Sequence, residues 1–306
     1  MFIVAHRKIF YTVSGILVLA SLISLIIWGL NLGIDFKGGS LLEVEYEGVR
    51  PPAAVVSDAL RKLSIGEPSV RGTGEEGFII RMRSITEEER LSVITAVESA
   101  VSSSADNKVL VKRFNSIGPL IGKEAGQKAL MSIALVIICI VLFITFAFRH
   151  VSEPVSSWKY GIIAIIALIH DVVIPVGAFT ILGHFQGVEV DTLFVTALLV
   201  ILGFSIHDTI VVFDRVRENL KLNRLYKEKK SFEHIVGESI GQTFVRSINT
   251  SLTTILALVV LYFVGSDSTR YFSLALIIGI IAGTYSSIFI GSPLLVTADK
   301  WQNGKK

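Results

Sequence analysis

Long apolar runs separated by short polar segments dominate the chain. Six of them are long enough to cross about 30 Å of hydrocarbon, which takes roughly 20 residues of helix. They lie near residues 9–30, 129–148, 160–183, 192–213, 247–265 and 271–297. The first run resembles a signal peptide, but it is too long and lacks a small-residue cleavage site before Asn31. We therefore predict a polytopic α-helical membrane protein whose first run stays as an anchor.

One polar stretch, from Asn31 to about Gln127, is large enough to fold as a separate domain. Its hydrophobic pattern alternates between a period typical of strands and one typical of helices. The predicted elements are a strand at 41–46, a helix at 53–63, strands at 69–71 and 78–82, a helix from Thr86 to about Val101, and a strand at 108–114. Thr86 with Glu89 forms a capping box, and the turn from Gly72 to Gly77 fits a hairpin. This β-α-β-β-α-β order predicts an α+β ferredoxin-like domain.

Composition agrees with a membrane protein, because 51% of the residues are hydrophobic, 18% are charged and the mean hydropathy is +0.64. Basic residues follow the second, fourth and sixth spans, whereas the short turns after the third and fifth spans are mainly acidic. The bases are Arg149, Lys159, Arg215, Arg217, Lys221, Arg224, Lys227, Lys229, Lys230, Lys300, Lys305 and Lys306, and the turns carry Glu189, Asp191, Asp267 and one base, Arg270. By the positive-inside bias, both termini are predicted to be cytoplasmic.

This orientation divides the chain into four predicted parts. Residues 1–30 form the cytoplasmic N-terminus and first span, and residues 31–127 form the extracytoplasmic domain between the first and second spans. Residues 128–298 form the other five spans, with a cytoplasmic loop at 214–246, and residues 299–306 form a cytoplasmic tail. A further apolar periodicity between Ser231 and Phe244 predicts an amphipathic helix along the cytoplasmic interface.

Charged residues inside the apolar runs are the main indication of function. His170 and Asp171 lie in the third run, His207 and Asp208 lie in the fourth, and Arg246 lies near the start of the fifth. A carboxylate at the centre of a spanning helix costs roughly 2.5 to 3.5 kcal/mol on insertion scales, so retained charges have a use. The pattern therefore favours an ion-coupled machine over a purely structural membrane protein.

Four strings carry a resemblance to a known family. They are LGIDFKGGS at 32–40, IHDVVIPVGAF at 169–179, GFSIHDTIVVFDRVRENL at 203–220 and QTFVRSINTSLTT at 242–254. In order, spacing and layout of spans, the chain resembles the SecD/SecF family of bacterial protein-translocation subunits, within the resistance-nodulation-division superfamily. The similarity covers nearly the whole chain. One departure is His207, which stands where the family pattern commonly has asparagine.

The resemblance implies a bacterial cytoplasmic (inner) membrane subunit that pairs with SecD near the SecYEG channel and contacts unfolded secretory polypeptide and membrane lipid. It implies that the proton or sodium motive force drives translocation and release. In the family, the residues tied to proton movement correspond to Asp208 and Arg246, whereas Asp171 is a family feature of less defined role. Asp35, Phe36, Lys37, Gly38 and Gly39 are the signature at the exit from the first span, a position that can also transmit motion.

Elementary electrostatics supports the transfer of these roles. Desolvation favours a neutral carboxyl, and a nearby guanidinium favours a charged one. A change in the distance between Asp208 and Arg246 therefore changes the proton affinity of Asp208, and the pair can act as a switch. Thr250, Thr253 and Thr254 share a helix face with Arg246 and are predicted to line a hydrated path.

Each of these residues also has a simpler interpretation. In the simpler interpretation, Arg246 only anchors the end of its helix, with its long side chain reaching the membrane surface. His170 and His207 are then hydrogen-bonded packing residues rather than proton relays. A metal site from the two His-Asp pairs is conceivable if the third and fourth spans pack together, but we predict no metal and no cofactor. Positions two apart on a helix point to different faces, so Ser205, His207 and Asp208 are not expected to form a hydrolase triad by themselves. The residues around Lys37 do not have the rest of the phosphate-binding-loop pattern, so Lys37 is not expected to bind phosphate.

These considerations predict a transport subunit that is not an enzyme and does not bind nucleic acid. The chain contains no nucleotide-binding motif, so its energy must come from an ion gradient or from a partner. The main alternative is a stand-alone proton-coupled exporter of small molecules or lipids from the same superfamily. A scaffold that uses no energy is a third hypothesis.

Overall fold

The predicted spans are confirmed by a computed structural model that describes residues 2–48, 50–100, 109–147, 157–227 and 230–303. Within these residues, six helices are long and apolar enough to cross a membrane. In chain order the elements are α1 (Phe2–Ala5), α2 (Arg7–Trp28), α3 (Ile34–Lys37), β1 (Gly39–Tyr46), α4 (Ala53–Arg61), β2 (Ser69–Thr73), β3 (Gly77–Met82), α5 (Glu87–Ser99), β4 (Val109–Ile117), α6 (Pro119–Ala147), α7 (Ser157–Gln186), α8 (Thr192–Leu225), α9 (Phe232–Val264), α10 (Asp267–Ser286), a π-helical segment (Ser287–Gly291) and α11 (Ser292–Asn303).

The chain forms two compact units. One comprises residues 1–31 and 130–306 and holds the membrane-spanning helices, and the other comprises residues 32–129. We call them the helical unit and the α+β domain. The sequence predictions that fall on Val101, Lys108, Arg149, Lys229, Lys305 and Lys306 lie outside the described residues.

The α+β domain has the predicted β-α-β-β-α-β order, with an antiparallel sheet in the order β2-β3-β1-β4. Alternate residues of β1 point into the core, where Leu42 pairs with Ile80 of β3 and with Phe114 of β4. The helices α4 and α5 cover this face with Val56, Leu60, Val93 and Val97. The predicted capping box is confirmed, since Thr86 Oγ1 accepts from Glu89 N at 3.3 Å and Glu89 Oε2 accepts from Thr86 N at 2.9 Å.

The glycine pair at the start of β1 adopts a backbone conformation that other residues rarely take. Gly38 has φ +76° and Gly39 has φ +130°. A Cβ atom at Gly38 would lie 2.6 Å from Pro119 Cα, and one at Gly39 would lie 2.8 Å from the Met82 carbonyl oxygen. These positions therefore need glycine for two reasons, the positive φ and the close approach of neighbouring backbone.

In the helical unit, α7, α8 and the last span are half or more buried within the chain, whereas α2, α6 and α9 are mostly exposed. Small residues permit the closest helix contacts, because a Cβ atom at Gly279 or Gly283 of α10 would meet Ile201 or Ser205 of α8 at 3.0 Å or less. The last span changes from α to π geometry at Ser287, and Ser292 Oγ donates to the Ser287 carbonyl oxygen at 2.9 Å. Such π segments are frequent at functional sites.

The segment between the fourth and fifth spans differs from its prediction. Ser231 caps α9, and the helix continues without a break into the span, so the run from Ser231 to Phe244 is not a separate interfacial helix. Its apolar residues Ile235, Val236 and Ile240 pack with Val212 and Val216 of α8. Helical periodicity predicts an apolar face, but it does not indicate whether lipid or protein covers that face.

Candidate functional site: a polar cluster among the spanning helices

Asp171, at the middle of α7, is fully buried and surrounded by hydrogen-bonding side chains. Its Oδ2 accepts from Ser205 Oγ of α8 and from Ser286 Oγ of α10, the latter at 2.7 Å. Its Oδ1 lies 2.8 Å from Nδ1 of His170. Three helices therefore meet at this carboxylate, and their side chains replace the water that it would otherwise bind.

Asp208 of α8 is also buried, with 3% of its surface exposed, but its surroundings differ. Its Oδ2 atom is shielded from solvent and has no hydrogen-bond partner among the described residues. The same is true of Ser247 Oγ on the neighbouring helix α9. A buried acceptor without a partner costs about 1–3 kcal/mol, and more when it is charged. Such atoms are uncommon in native proteins, so Asp208 is a candidate functional residue.

Hydroxyl groups on four helical segments pair with one another near the two carboxylates. Thr209 Oγ1 of α8 lies 2.8 Å from Ser287 Oγ in the π segment, and Ser251 Oγ of α9 lies 2.5 Å from Thr284 Oγ1 of α10. With the two carboxylates, these hydroxyls form a buried polar region inside an apolar bundle. We call it the polar cluster, and it consists of Asp171, Ser205, Asp208, Thr209, Ser251, Thr284, Ser286 and Ser287.

The six hydroxyl-bearing members were not among the predicted site residues. Two patterns in the sequence could have indicated them. Ser205 and Thr209 are four residues apart on one face of α8 and lie within one turn of Asp208, and Thr284, Ser286 and Ser287 interrupt the apolar last span. Small polar residues are common in spanning helices, so these patterns gain meaning only when another helix supplies the partner.

The predicted pair of Asp208 and Arg246 is not formed in this structure. Among the described residues no ion pair joins them, although Arg246 and His207 lie near enough to act electrostatically on Asp208. Arg246 is exposed and lines a cleft of about 490 Å³ between α8 and α9, together with Asp214, Arg215, Glu218 and Gln242. The carboxylate faces into the bundle and the guanidinium faces the cleft, which keeps them apart.

The predicted polar path follows the outside of the helical unit. Thr250 and Thr253 are exposed and Thr254 is half-buried. Their hydroxyls donate to carbonyl oxygens of their own helix, as Thr250 Oγ1 does to Arg246 O at 2.9 Å. Thus the threonine face and Arg246 lie on the surface of α9, and Ser247 and Ser251 form its buried face.

The two histidines have unlike environments. His170 is buried against Asp171, whereas His207 is exposed next to the buried Asp208. Among the described residues, no group of three His, Cys, Asp or Glu side chains is placed to hold a metal ion. Ser205 donates to Asp171 on another helix, and with His207 facing outward these residues do not form a triad.

Residues 96–301 match the family described as protein export membrane protein SecD/SecF, C-terminal, and residues 23–48 match the SecD/SecF GG motif. The chain belongs to the SecD/SecF family. The GG-motif match contains the pair Gly38–Gly39, whose φ values are positive, and every member of the polar cluster lies within the C-terminal match.

Within the SecD/SecF family, the curated relatives are protein translocase subunits named SecF. The one from Thermobaculum terrenum is 42% identical, covering 98% of this chain and 94% of the relative. The one from Anaerolinea thermophila is 40% identical, covering 99% of this chain and 94% of the relative. This multi-pass membrane protein is thus similar to SecF subunits over nearly its whole length.

Solved structures of the family show the same fold. SecDF from Thermus thermophilus, described as a translocon-associated membrane protein, aligns with a TM-score of 0.82 at 30% identity. A SecDF structure in a super-membrane-facing form aligns with a TM-score of 0.65 at 29% identity. The two alignments cover 98% and 100% of this chain, but this chain spans only 38% and 39% of those longer chains.

Proposed function

We propose that this chain is the SecF subunit of a bacterial Sec protein-export machinery. It acts with SecD beside the SecYEG channel in the cytoplasmic membrane. It uses the proton or sodium motive force to promote translocation and release of unfolded secretory polypeptide. The observation that carries this proposal is Asp208, a buried carboxylate with an oxygen that no described residue hydrogen-bonds.

Ion binding at Asp208 is the proposed coupling step. A proton or a sodium ion at Oδ2 removes the cost of the unpartnered acceptor and neutralises the carboxylate. Each charge that crosses the membrane supplies about 2.3 kcal/mol per 100 mV. Because α8 also contributes Ser205 to Asp171 and Thr209 to the π segment, a shift of α8 on ion binding alters the contacts of both neighbouring helices.

Arg246 and the cleft that it lines supply the proposed route to this site. Both signs of charge line the cleft, since its lining includes the basic Arg215 and Arg246 and the acidic Asp214 and Glu218. A polar, open cleft admits water and ions, which an apolar helix interface does not. Movement of the guanidinium between the cleft and Asp208 gives the carboxylate two electrostatic environments, and this is the switch that we assign to the pair.

The exposed face of α9 supports a requirement for SecD. Arg246, Thr250 and Thr253 lie on the surface of this chain within a helix that spans the membrane. Charged side chains in such helices face a protein interior or a water-filled cavity rather than lipid. A second membrane-embedded subunit that covers this face encloses the polar path. The basic segments near Arg215 and Lys300 support a cytoplasmic location for both termini by the positive-inside bias.

The signature from Asp35 to Gly39 is the proposed mechanical link. The chain passes through it from α2 to β1, and within the α+β domain it contacts the start of α6, where a Cβ atom at Gly122 would lie 3.1 Å from the Phe36 carbonyl carbon. Asp35, Phe36 and Lys37 form the single helical turn α3 before the two glycines. A tightly packed joint of this kind transmits displacement rather than absorbing it.

Translocation of a secreted precursor into membrane vesicles that contain this chain and its SecD partner tests the proposal. Asp208→Asn is compared with Asp58→Asn, an exposed aspartate of α4 that lies outside the cleft, under a proton gradient, a sodium gradient or no gradient. We expect Asp208→Asn to abolish the gradient-dependent part alone and Asp58→Asn to leave it intact. Equal, undiminished transport by both variants would show that Asp208 does not couple ions and would favour the scaffold hypothesis.

A further inference from the structure

Ser247 of α9 carries a buried hydroxyl that differs from its neighbours on the same helix. Only 1% of the residue's surface is exposed, and its Oγ makes no hydrogen bond to any described residue. By contrast, Thr243 Oγ1 donates to Ser239 O and Ser251 Oγ donates to Ser247 O, each at 2.9 Å. A hydroxyl inside a helix commonly bonds the carbonyl oxygen one turn back in this way. The Ser247 hydroxyl does not, which leaves it available to a ligand.

The register of α8 and α9 places this hydroxyl beside Asp208. Consecutive spans run in opposite directions, and Asn219 Nδ2 of α8 donates to Ser239 Oγ of α9 at 2.8 Å. About three helical turns separate Asp208 from Asn219, and the same rise along α9 leads from Ser239 to the turn at 247–251. Ser251, in that turn, is near enough to influence the Asp208 carboxyl. Asp208 Oδ2 and Ser247 Oγ, both buried and without a partner, therefore lie at one level of the interface between α8 and α9.

A monovalent metal cation satisfies these two atoms better than a proton or a water molecule does. No hydrogen bond joins Asp208 Oδ2 to Ser247 Oγ, so a proton on the carboxyl leaves the serine hydroxyl without a partner. A water molecule between the two atoms leaves the charge of the buried carboxylate uncompensated. A sodium ion binds both oxygens and also neutralises the charge, since hard cations take oxygen ligands.

The residues around Asp208 do not suit a divalent ion. Calcium is bound by several oxygen ligands that include carboxylates. Among the described residues, no three His, Cys, Asp or Glu side chains lie together in a way that could hold a metal ion. One carboxylate with neighbouring hydroxyls balances a single positive charge.

We propose that Ser247 is a ligand of a sodium ion whose charge is balanced by Asp208. Ser251 Oγ, which lies 2.5 Å from Thr284 Oγ1, supplies a third oxygen. This inference rests on the proposed coupling role of Asp208, and it names the ion and its other ligands. Ser247 is then a residue that sets ion specificity, because protonation of Asp208 does not require it.

Arg246 and the sodium ion compete for Asp208 in this arrangement. Arg246 directly precedes Ser247 and lines the cleft between α8 and α9, as does Thr243 one turn earlier. Two cations near one carboxylate repel each other, so bound sodium keeps the guanidinium in the cleft. Loss of the ion lets Arg246 approach Asp208. The cleft is also the shortest way for the ion to reach Ser247.

Binding of radioactive sodium to the purified full chain with its SecD partner, in a potassium chloride background, tests the ligand assignment. Ser247→Ala should weaken sodium binding several-fold, and Asp208→Asn should weaken it further. Ser14→Ala is the matched control, because Ser14 Oγ of α2 is also buried and has no partner among the described residues. It should leave the sodium affinity unchanged. Equal affinities of Ser247→Ala and the wild type would overturn the proposal.

A second variant keeps the test valid if Ser247→Ala does not fold. Ser247→Cys nearly preserves the shape of the side chain and replaces a hard oxygen with a soft sulfur, which is a poor ligand for sodium. We expect a several-fold loss of sodium affinity, with a thermal unfolding midpoint in potassium chloride close to that of the wild type. Wild-type sodium affinity in folded Ser247→Cys would refute the role of the hydroxyl.

Translocation into vesicles separates a failure of this inference from a failure of the proposed function. We expect Asp208-dependent translocation to need a sodium gradient, and Ser247→Ala to raise the sodium concentration for half-maximal translocation several-fold. Translocation driven by a proton gradient in sodium-free vesicles, lost in Asp208→Asn and retained in Ser247→Ala, would refute the sodium site and leave the proposed function intact. Gradient-dependent translocation that Asp208→Asn does not change would refute the proposed function, and sodium binding would still decide the role of Ser247.

Discussion

A single methyl group at Gly38 is expected to destabilise the α+β domain through two separate effects. With φ at +76° and ψ at 167°, Gly38 lies in a backbone region that is essentially restricted to glycine, so any L-residue at this position costs about 1–3 kcal/mol. The new Cβ atom would also lie 2.6 Å from Pro119 Cα and 2.9 Å from Pro119 N. Both contacts are to backbone atoms, which no side-chain rotation relieves, so the start of α6 or of β1 must shift. Overpacking of this kind costs about 1–3 kcal/mol.

Gly74 provides the matched control. It also has a positive φ, +56°, but a Cβ atom there meets nothing within 4 Å. Gly74→Ala therefore carries a cost for its positive φ and the change in the unfolded chain, without the overlap. We expect Gly38→Ala to lower the free energy of opening by at least about 1–3 kcal/mol more than Gly74→Ala does, because of the two variants only Gly38→Ala adds an overlap.

Hydrogen exchange of the β1 amides, measured by mass spectrometry on the full chain, reports this free energy. The difference corresponds to exchange that is roughly tenfold to a hundredfold faster in Gly38→Ala than in Gly74→Ala. Equal exchange rates in the two variants would refute the argument, because they would mean that the contact with Pro119 is not tight. Gradient-dependent translocation by the same variants would then show whether this joint also transmits motion.

Two further predictions concern the two units separately. Burial raises the pKa of Tyr46 from 10.0 to about 12, and its hydroxyl donates to Val97 O at 3.3 Å. Between these values the folded domain keeps a proton that the unfolded chain has lost, so stability should fall by about 1–2 kcal/mol as the pH rises from about 10 to about 12. Urea unfolding probed by protease cleavage in the α+β domain should show this loss in the wild type and not in Tyr46→Phe; parallel pH profiles would contradict it. In the helical unit, a Cβ atom at Gly177 would lie 2.5 Å from Ser21 Cα, so Gly177→Ala should separate α2 from α7 at a cost of about 1–3 kcal/mol. Its midpoint of thermal unfolding in detergent should fall below that of Gly203→Ala, and equal midpoints would show that the two helices are not in close contact.

Local patterns allowed several features of this protein to be predicted from its sequence. The six spans follow from apolar runs of sufficient length, because each spanning helix satisfies its own backbone hydrogen bonds whatever its neighbours are. The elements of the α+β domain follow from the period of the hydrophobic pattern and from the turn and capping residues that bound each element. The capping box is an example, since Thr86 and Glu89 are three residues apart and contact each other within a single turn. The two carboxylates could be identified because a charge in a span is unusual anywhere.

Tertiary structure alone decided which side chains meet. Asp171 receives its hydrogen bonds from Ser205 and Ser286, and the latter is on a different span more than a hundred residues later in the chain. The apolar face of α9 near Ile240 packs on α8, whereas a separate helix at the membrane interface was predicted.

The physical reason is that the rotation and packing of helices are set by partners that are distant in sequence. Hydropathy determines that a helix crosses the membrane, but it carries little information on which face contacts which neighbour. Asp208 and Arg246 illustrate the point. Their types and positions in the chain were evident from the sequence, and only the fold turned the carboxylate inward and the guanidinium towards the cleft.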